Sequence, residues 1–266
     1  PAFLKFFLAV LIFFYRWQNV ELILALYLLS TLPSVIIAEL NKPAGIYYQL
    51  KGKFPAEERL VLQLLKHSAF AVVAAGLIEN VDLLIAKHYL SNYETGLLAG
   101  AERIAMLIAV VSAALANVLY PRVAKYKKQV DLHSFLKKAW LLVVFFLLSL
   151  IIVLPLAPWL IRLSVGSAYL PATNILQILL VAGILQIISV PFIATFYAFK
   201  SNRFFSQSAL LQLIIVLAGN IIFIPQFGAI ASAYTRLAAR AALLVFSWLA
   251  LWWQWRKEFK PAKSTA

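Results

Sequence analysis

The sequence predicts an all-α polytopic membrane protein of about eight transmembrane helices. One complete six-helix lobe is preceded by the last two helices of a truncated lobe. Three observations carry this. Of the 266 residues, 64% are hydrophobic and only 13% are charged, against roughly 45–50% and about 25% in soluble domains. The apolar residues lie in long unbroken runs, which suit membrane helices; the strands of a membrane barrel alternate instead. Lys and Arg gather in every second connection, the pattern of cytoplasmic loops.

Residues 1–15 (PAFLKFFLAVLIFFY) are apolar but shorter than the ~20 residues a spanning helix needs. They carry no signal-peptide n-region or small-residue cleavage site. The first residue is Pro1 and the only methionine is Met106, so the sequence reads as a fragment that begins inside a helix. Further apolar segments cover approximately 21–40, 66–87, 95–119, 139–161, 172–199, 204–224 and 229–254. Pro43, Pro55, Pro121, Pro171 and Pro225 mark their ends, and Trp17, Trp159, Trp252, Trp253 and Trp255 stand as interface anchors. The expected organisation is two helices over 1–40, a basic interlobe linker over 41–65, a six-helix lobe over 66–254 and a basic tail over 255–266. Within the linker region, AEERLVLQLLK has the spacing of a short amphipathic helix.

The basic residues orient the bundle. Loop 41–66 holds Lys42, Lys51, Lys53, Arg59 and Lys66; loop 120–138 holds Arg122, Lys125, Lys127, Lys128, Lys137 and Lys138. Lys200 and Arg203 follow, then Arg256, Lys257, Lys260 and Lys263 in the tail. The alternate connections carry only Arg16, Lys87 and Arg162. This places the C-terminus of a multi-pass membrane protein in the cytoplasm. It accounts for the net charge of +14 without nucleic acid, and the basic loops are expected to touch anionic lipid headgroups. With no cysteine, disulfides and thiolate metal sites are excluded. His67, His88 and His133 lack metal-ligand spacing, and no phosphate-binding glycine loop or nucleophile elbow occurs. No metal, cofactor or enzymatic activity is expected.

Charges inside the apolar segments are the candidate functional residues. Glu79 and Asp82 share a helix face by their three-residue spacing, Glu79 about 12 Å inside the segment end at the helical rise. Arg103, with Glu102 beside it, lies about 12 Å deep in the following antiparallel segment, so a pair between Arg103 and Glu79 or Asp82 is geometrically available. Arg236 and Arg240 share a face of the last segment, and Arg240 is about 16 Å deep. An unpaired Arg there costs about 2.5–3.5 kcal/mol or more. Two readings are open: structural ion pairs between helices, or a water-filled cavity where Arg103, Arg236 and Arg240 meet an anionic group, with Glu79, Asp82 and Glu102 as charge partners. Intramembrane charges more often mark pathways, and the planar donor fork of arginine suits phosphate.

Other features have structural readings. Gly96 and Gly100, with Ala101, Ala105, Ala109 and Ala113, form small ridges for close helix packing. Pro155, Pro158 and Pro191 are expected to kink their helices. Asn117 and Asn220 read as caps or interhelical polar contacts.

Four stretches together resemble a known family. ENVDLLIAKHYLSNYETGLLAGAERI is similar to the start of the second half of polysaccharide flippases, where an Asp-containing helix leads through a short loop to a glycine. ALANVLYPRVAKY resembles the next helix end, and PWLIRLSVGSAYLPATNILQIL the family's glycine, tyrosine and alanine loop. FYAFKSNRFFSQSALLQLIIVLAGNIIFIPQFGAIASAYTRLAAR is similar to the last helix pair. Ala231 stands where a second glycine is common, and Arg236 where a small or hydroxylic residue is common. The family is the O-antigen and polysaccharide flippases of the multidrug/oligosaccharidyl-lipid/polysaccharide (MOP, MATE-like) exporter superfamily.

The resemblance implies two six-helix lobes around a central cavity and alternating access. It implies translocation of polyprenyl-diphosphate-linked oligosaccharide for surface polysaccharide such as lipopolysaccharide, with Arg103, Arg236 and Arg240 facing the diphosphate. It also makes the missing N-terminal lobe a required partner. The rival within transport is an ion-coupled multidrug exporter. A membrane-embedded polymerase or ligase is disfavoured by short external loops at 88–94, 162–171 and 225–228. A non-transporting membrane scaffold with structural charges is the remaining alternative.

Overall fold

A computed structural model describes the backbone of residues 55–126, 128–199, 201 and 203–258, and the side chains from Ala69 onward. The expected segments at 1–15 and 21–40, the first part of the linker and the end of the tail lie outside these residues. The described chain forms six long helices: α1 Pro55–Tyr89, α2 Asn92–Val123, α3 Gln129–Ser164, α4 Thr173–Ala198, α5 Arg203–Phe227 and α6 Ala229–Glu258. A 3-10 segment, Ser167–Ala172, precedes α4, and no strand occurs among the described residues. Each of the six helical regions is long and apolar enough to cross a membrane. The protein is therefore an all-α polytopic membrane protein, and the six expected segments from 66 to 254 each match one helix, 172–199 overrunning α4 by one residue at each end.

The first helix departs from the expectation. α1 runs unbroken from Pro55 through the stretch assigned to a separate amphipathic helix. Pro55 is the kind of residue that starts a helix, because its fixed φ fits and its missing N–H has no intrahelical partner there. No Gly or Pro follows until Gly76, so nothing in the local sequence separates the two parts.

α4 is the pillar of the bundle. It packs against α2, α3 and α6, and its apolar surface is mostly covered, whereas α3, the most apolar helix, is almost wholly exposed on its apolar stretch. That exposure is the signature of a helix whose solvent is lipid. One core joins Leu98 and Ala101 of α2, Ile161 of α3, Leu176 and Leu179 of α4, Ile224 of α5 and Ala233 of α6. A second, at the other end, gathers Val123, Leu132 and Ala194 around Tyr120, Phe135 and Trp255.

Small residues permit the close approaches. Gly183 of α4 faces Ile108 of α2, and Gly219 of α5 faces Thr235 of α6. The Gly96–Gly100 pair serves a different partner from the one expected: the ring of Tyr169 in the 3-10 segment lies over it. Gly166, at φ 107°, makes the turn that brings this ring back, a conformation rarely open to other residues.

The prolines of α3 stand inside a continuous helix. Pro158 lacks the N–H that would bond the Leu154 carbonyl four residues earlier. Gln177 of α4 replaces it, its Nε2 donating to Leu154 O at 3.1 Å. Substituting Gln177 by Leu removes this donor and should cost about 1 kcal/mol, read as earlier thermal unfolding in detergent. An unchanged melting point would show that the carbonyl finds another donor.

Candidate functional site: an ion cluster beside a cavity

Four helices meet in a network of charged and polar side chains. α1 supplies Glu79 and Asp82, α2 Glu102, α5 Gln212, and α6 Ser232, Arg236 and Arg240. Arg236 is the hub. Its Nη2 bonds Asp82 Oδ2 and lies 3.2 Å from Glu102 Oε1, and its Nη1 lies 3.4 Å from Glu79 Oε2. One turn along, Arg240 donates from Nη2 to Glu79 Oε1 at 2.5 Å and from Nη1 to Gln212 Oε1 at 2.6 Å. Ser232 donates to Asp82 Oδ2 at 3.4 Å.

The local sequence explains the arrangement. Ser232, Arg236 and Arg240 are four residues apart, so they form one stripe of α6. Glu79 and Asp82 do the same on α1 with a three-residue step. Among the described residues, α1 approaches its neighbours closely at few backbone positions. It is held by these side chains, by Ile78 against Val216 and Ala239, and by Ala86 in the main core.

Burial differs within the cluster. The side chains of Asp82 and Glu102 are 1% and 9% exposed, those of Arg236 and Arg240 11% and 8%, but that of Glu79 is 41% exposed. Glu79 faces a cavity of about 380 Å³ lined also by Glu102, Arg103, Arg236 and Arg240, with Asn80 and Gln186 as further polar walls. Ala99, Ala105, Ala109, Ala182 and Gly183 give it room. Two of the small residues read as packing ridges, Ala105 and Ala109, thus border open space as well.

All six sequence-selected charges converge here, but the pairing differs from the one that looked available. Glu79 and Asp82 turn to the arginines of α6, not to Arg103. Arg103 is exposed, lines the cavity, and makes no ion pair or hydrogen bond among the described residues. Consecutive residues on a helix point about 100° apart, so Glu102 enters the cluster while Arg103 faces the opening.

Gln212 and Ser232 were not singled out from the sequence. A signal existed for Gln212: Ser208, Gln212 and Asn220 fall on one buried stripe of an otherwise apolar helix. Asn220 is not the cap or contact expected: it is buried within α5, and its amide atoms have no hydrogen-bond partner among the described residues. Glu94 also has a defined role. It forms a capping box with Ser91, whose Oγ accepts from Glu94 N at 3.2 Å, a motif readable in the Ser91–Glu94 spacing.

No protein-family model, curated protein or solved structure matches the chain.

Proposed function

We propose that this protein is the C-terminal part of a transporter that moves polyprenyl-diphosphate-linked oligosaccharide between membrane leaflets, in the bacterial or archaeal cytoplasmic membrane with the C-terminus inside. The observation that carries the reading is Arg103: a cation about 12 Å deep by the helical rise, unpaired among the described residues, on the wall of a cavity that Glu79, Glu102, Arg236 and Arg240 also border. An unpaired arginine at such depth is expensive unless water or an anion reaches it. The ordered resemblance of four stretches to the polysaccharide flippases supports the substrate class. The lipid tail would stay in the bilayer while the diphosphate enters, and rocking of two lobes would expose the cavity to each side.

One observation favours a second reading. Arg236 and Arg240 are already matched by three carboxylates, Glu79, Asp82 and Glu102. An acid-rich centre suits an ion-coupled exporter of organic cations.

The absence of cysteine gives a test. An Arg103→Cys variant should react with a membrane-impermeant thiol reagent, and farnesyl diphosphate should protect it. Protection by ethidium and not by farnesyl diphosphate would favour the exporter. No reaction in either membrane orientation would mean a closed site and remove the transport reading.

A further inference from the structure

The cavity already contains an anion, supplied by the protein. The Glu79 carboxylate spans the two guanidinium groups of α6, one oxygen 3.4 Å from Arg236 Nη1 and the other 2.5 Å from Arg240 Nη2. A phosphate group presents the same feature, oxygens placed to accept from two neighbouring forks.

The three carboxylates are not equivalent. Asp82 is sealed and holds both Arg236 and Ser232. Glu102 is nearly sealed and reaches Arg236 but not Arg240 among the described residues. Glu79 is 41% exposed, borders open volume, and has three side-chain torsions with which to leave. Among the described residues it is the only carboxylate on Arg240.

We propose that Glu79 is a displaceable counterion: phosphate oxygens of the ligand take its place between Arg236 and Arg240, and Glu79 swings into the cavity. This rests on the reading that the cavity receives an anion. With Glu79 gone, three guanidinium groups, including Arg103, face only Asp82 and Glu102, and the seat turns net positive. Anion entry also cuts one of the two carboxylate links between α1 and α6. Since α1 packs mainly through side chains, ligand binding loosens the first helix, leaving Asp82 as its ionic tie.

The chemistry fits free pyrophosphate or a lipid diphosphate, so both are titrated in parallel. Inorganic pyrophosphate and farnesyl diphosphate are added to the purified full chain and its Glu79→Gln variant in detergent. Removing the competing anion should tighten binding about tenfold, equivalent to ~1.4 kcal/mol, and tighter farnesyl diphosphate binding would assign the ligand to lipid. In parallel, carbodiimide coupling of an amine to wild-type Glu79 is followed by mass spectrometry and should rise on ligand addition. That readout decides the question if Glu79→Gln does not fold. Binding by the wild type with neither tightening in the variant nor a rise in Glu79 coupling would overturn the exchange and leave the anion cavity standing. No binding of either ligand by either protein would overturn both.

Discussion

Replacing Arg236 by leucine should lower folded-state stability by about 3–5 kcal/mol, the cost of stranding buried charge. Asp82 is 1% exposed and Glu102 8%; Arg236 is the cation nearest to both. Without it Asp82 is left in a desolvated space without its closest cation. Unfolding of the detergent-solubilised protein measures the loss. The paired variant Asp82→Asn with Arg236→Gln should recover more than half of it, because neutral amides satisfy each other without a stranded charge. A loss below ~1 kcal/mol would mean that water reaches these acids and that the pair adds little, as at a surface. A double variant no better than Arg236→Leu would mean that shape, not charge, is what the site requires.

The second large effect is expected at Gly219. A methyl group there would sit 2.5 Å from Thr235 Cγ2 and 2.9 Å from its Oγ1. Threonine is branched at Cβ and stiff in a helix, so the side chain cannot turn away cheaply. Gly219→Ala should therefore push α5 from α6 and cost about 1–3 kcal/mol. The separation also strains the Gln212–Arg240 bond, which crosses the same interface at 2.6 Å. Adding Thr235→Ala removes both colliding atoms and should restore most of the stability. Failure of that second substitution to help would place the cause elsewhere.

The spans were legible because hydropathy reports the solvent of each segment directly, and lipid was plain from residue 66 onward. The rotation of each helix about its axis was not. α4 is apolar nearly all round, so its pattern has no face to read, and only packing reveals it as the pillar. The charges were legible as a group for the reason that makes them costly: few residues of their kind stand so deep. Their partners were not. Chain order puts α1 and α2 side by side and suggests Arg103 for Glu79, but Glu79 meets α6, more than 150 positions away in sequence. Gln212 is marked only by the sparse polar stripe it shares with Ser208 and Asn220, which gives no partner. Its meaning lies in Arg240, on another helix.

The α1–α6 ion pairs have a consequence for how the chain is made. α6 is the least apolar of the six spans, with mean hydropathy 1.3, and its two arginines each oppose entry into lipid by about 2.5–3.5 kcal/mol at mid-helix. Alone it is a poor candidate for insertion. Two of its three counter-charges, Glu79 and Asp82, stand on α1, the first of these six to leave the ribosome. The helix synthesised last among these six is thus received by the one synthesised first, and biogenesis must hold α1 in place, its acids waiting, until the remaining helices have followed.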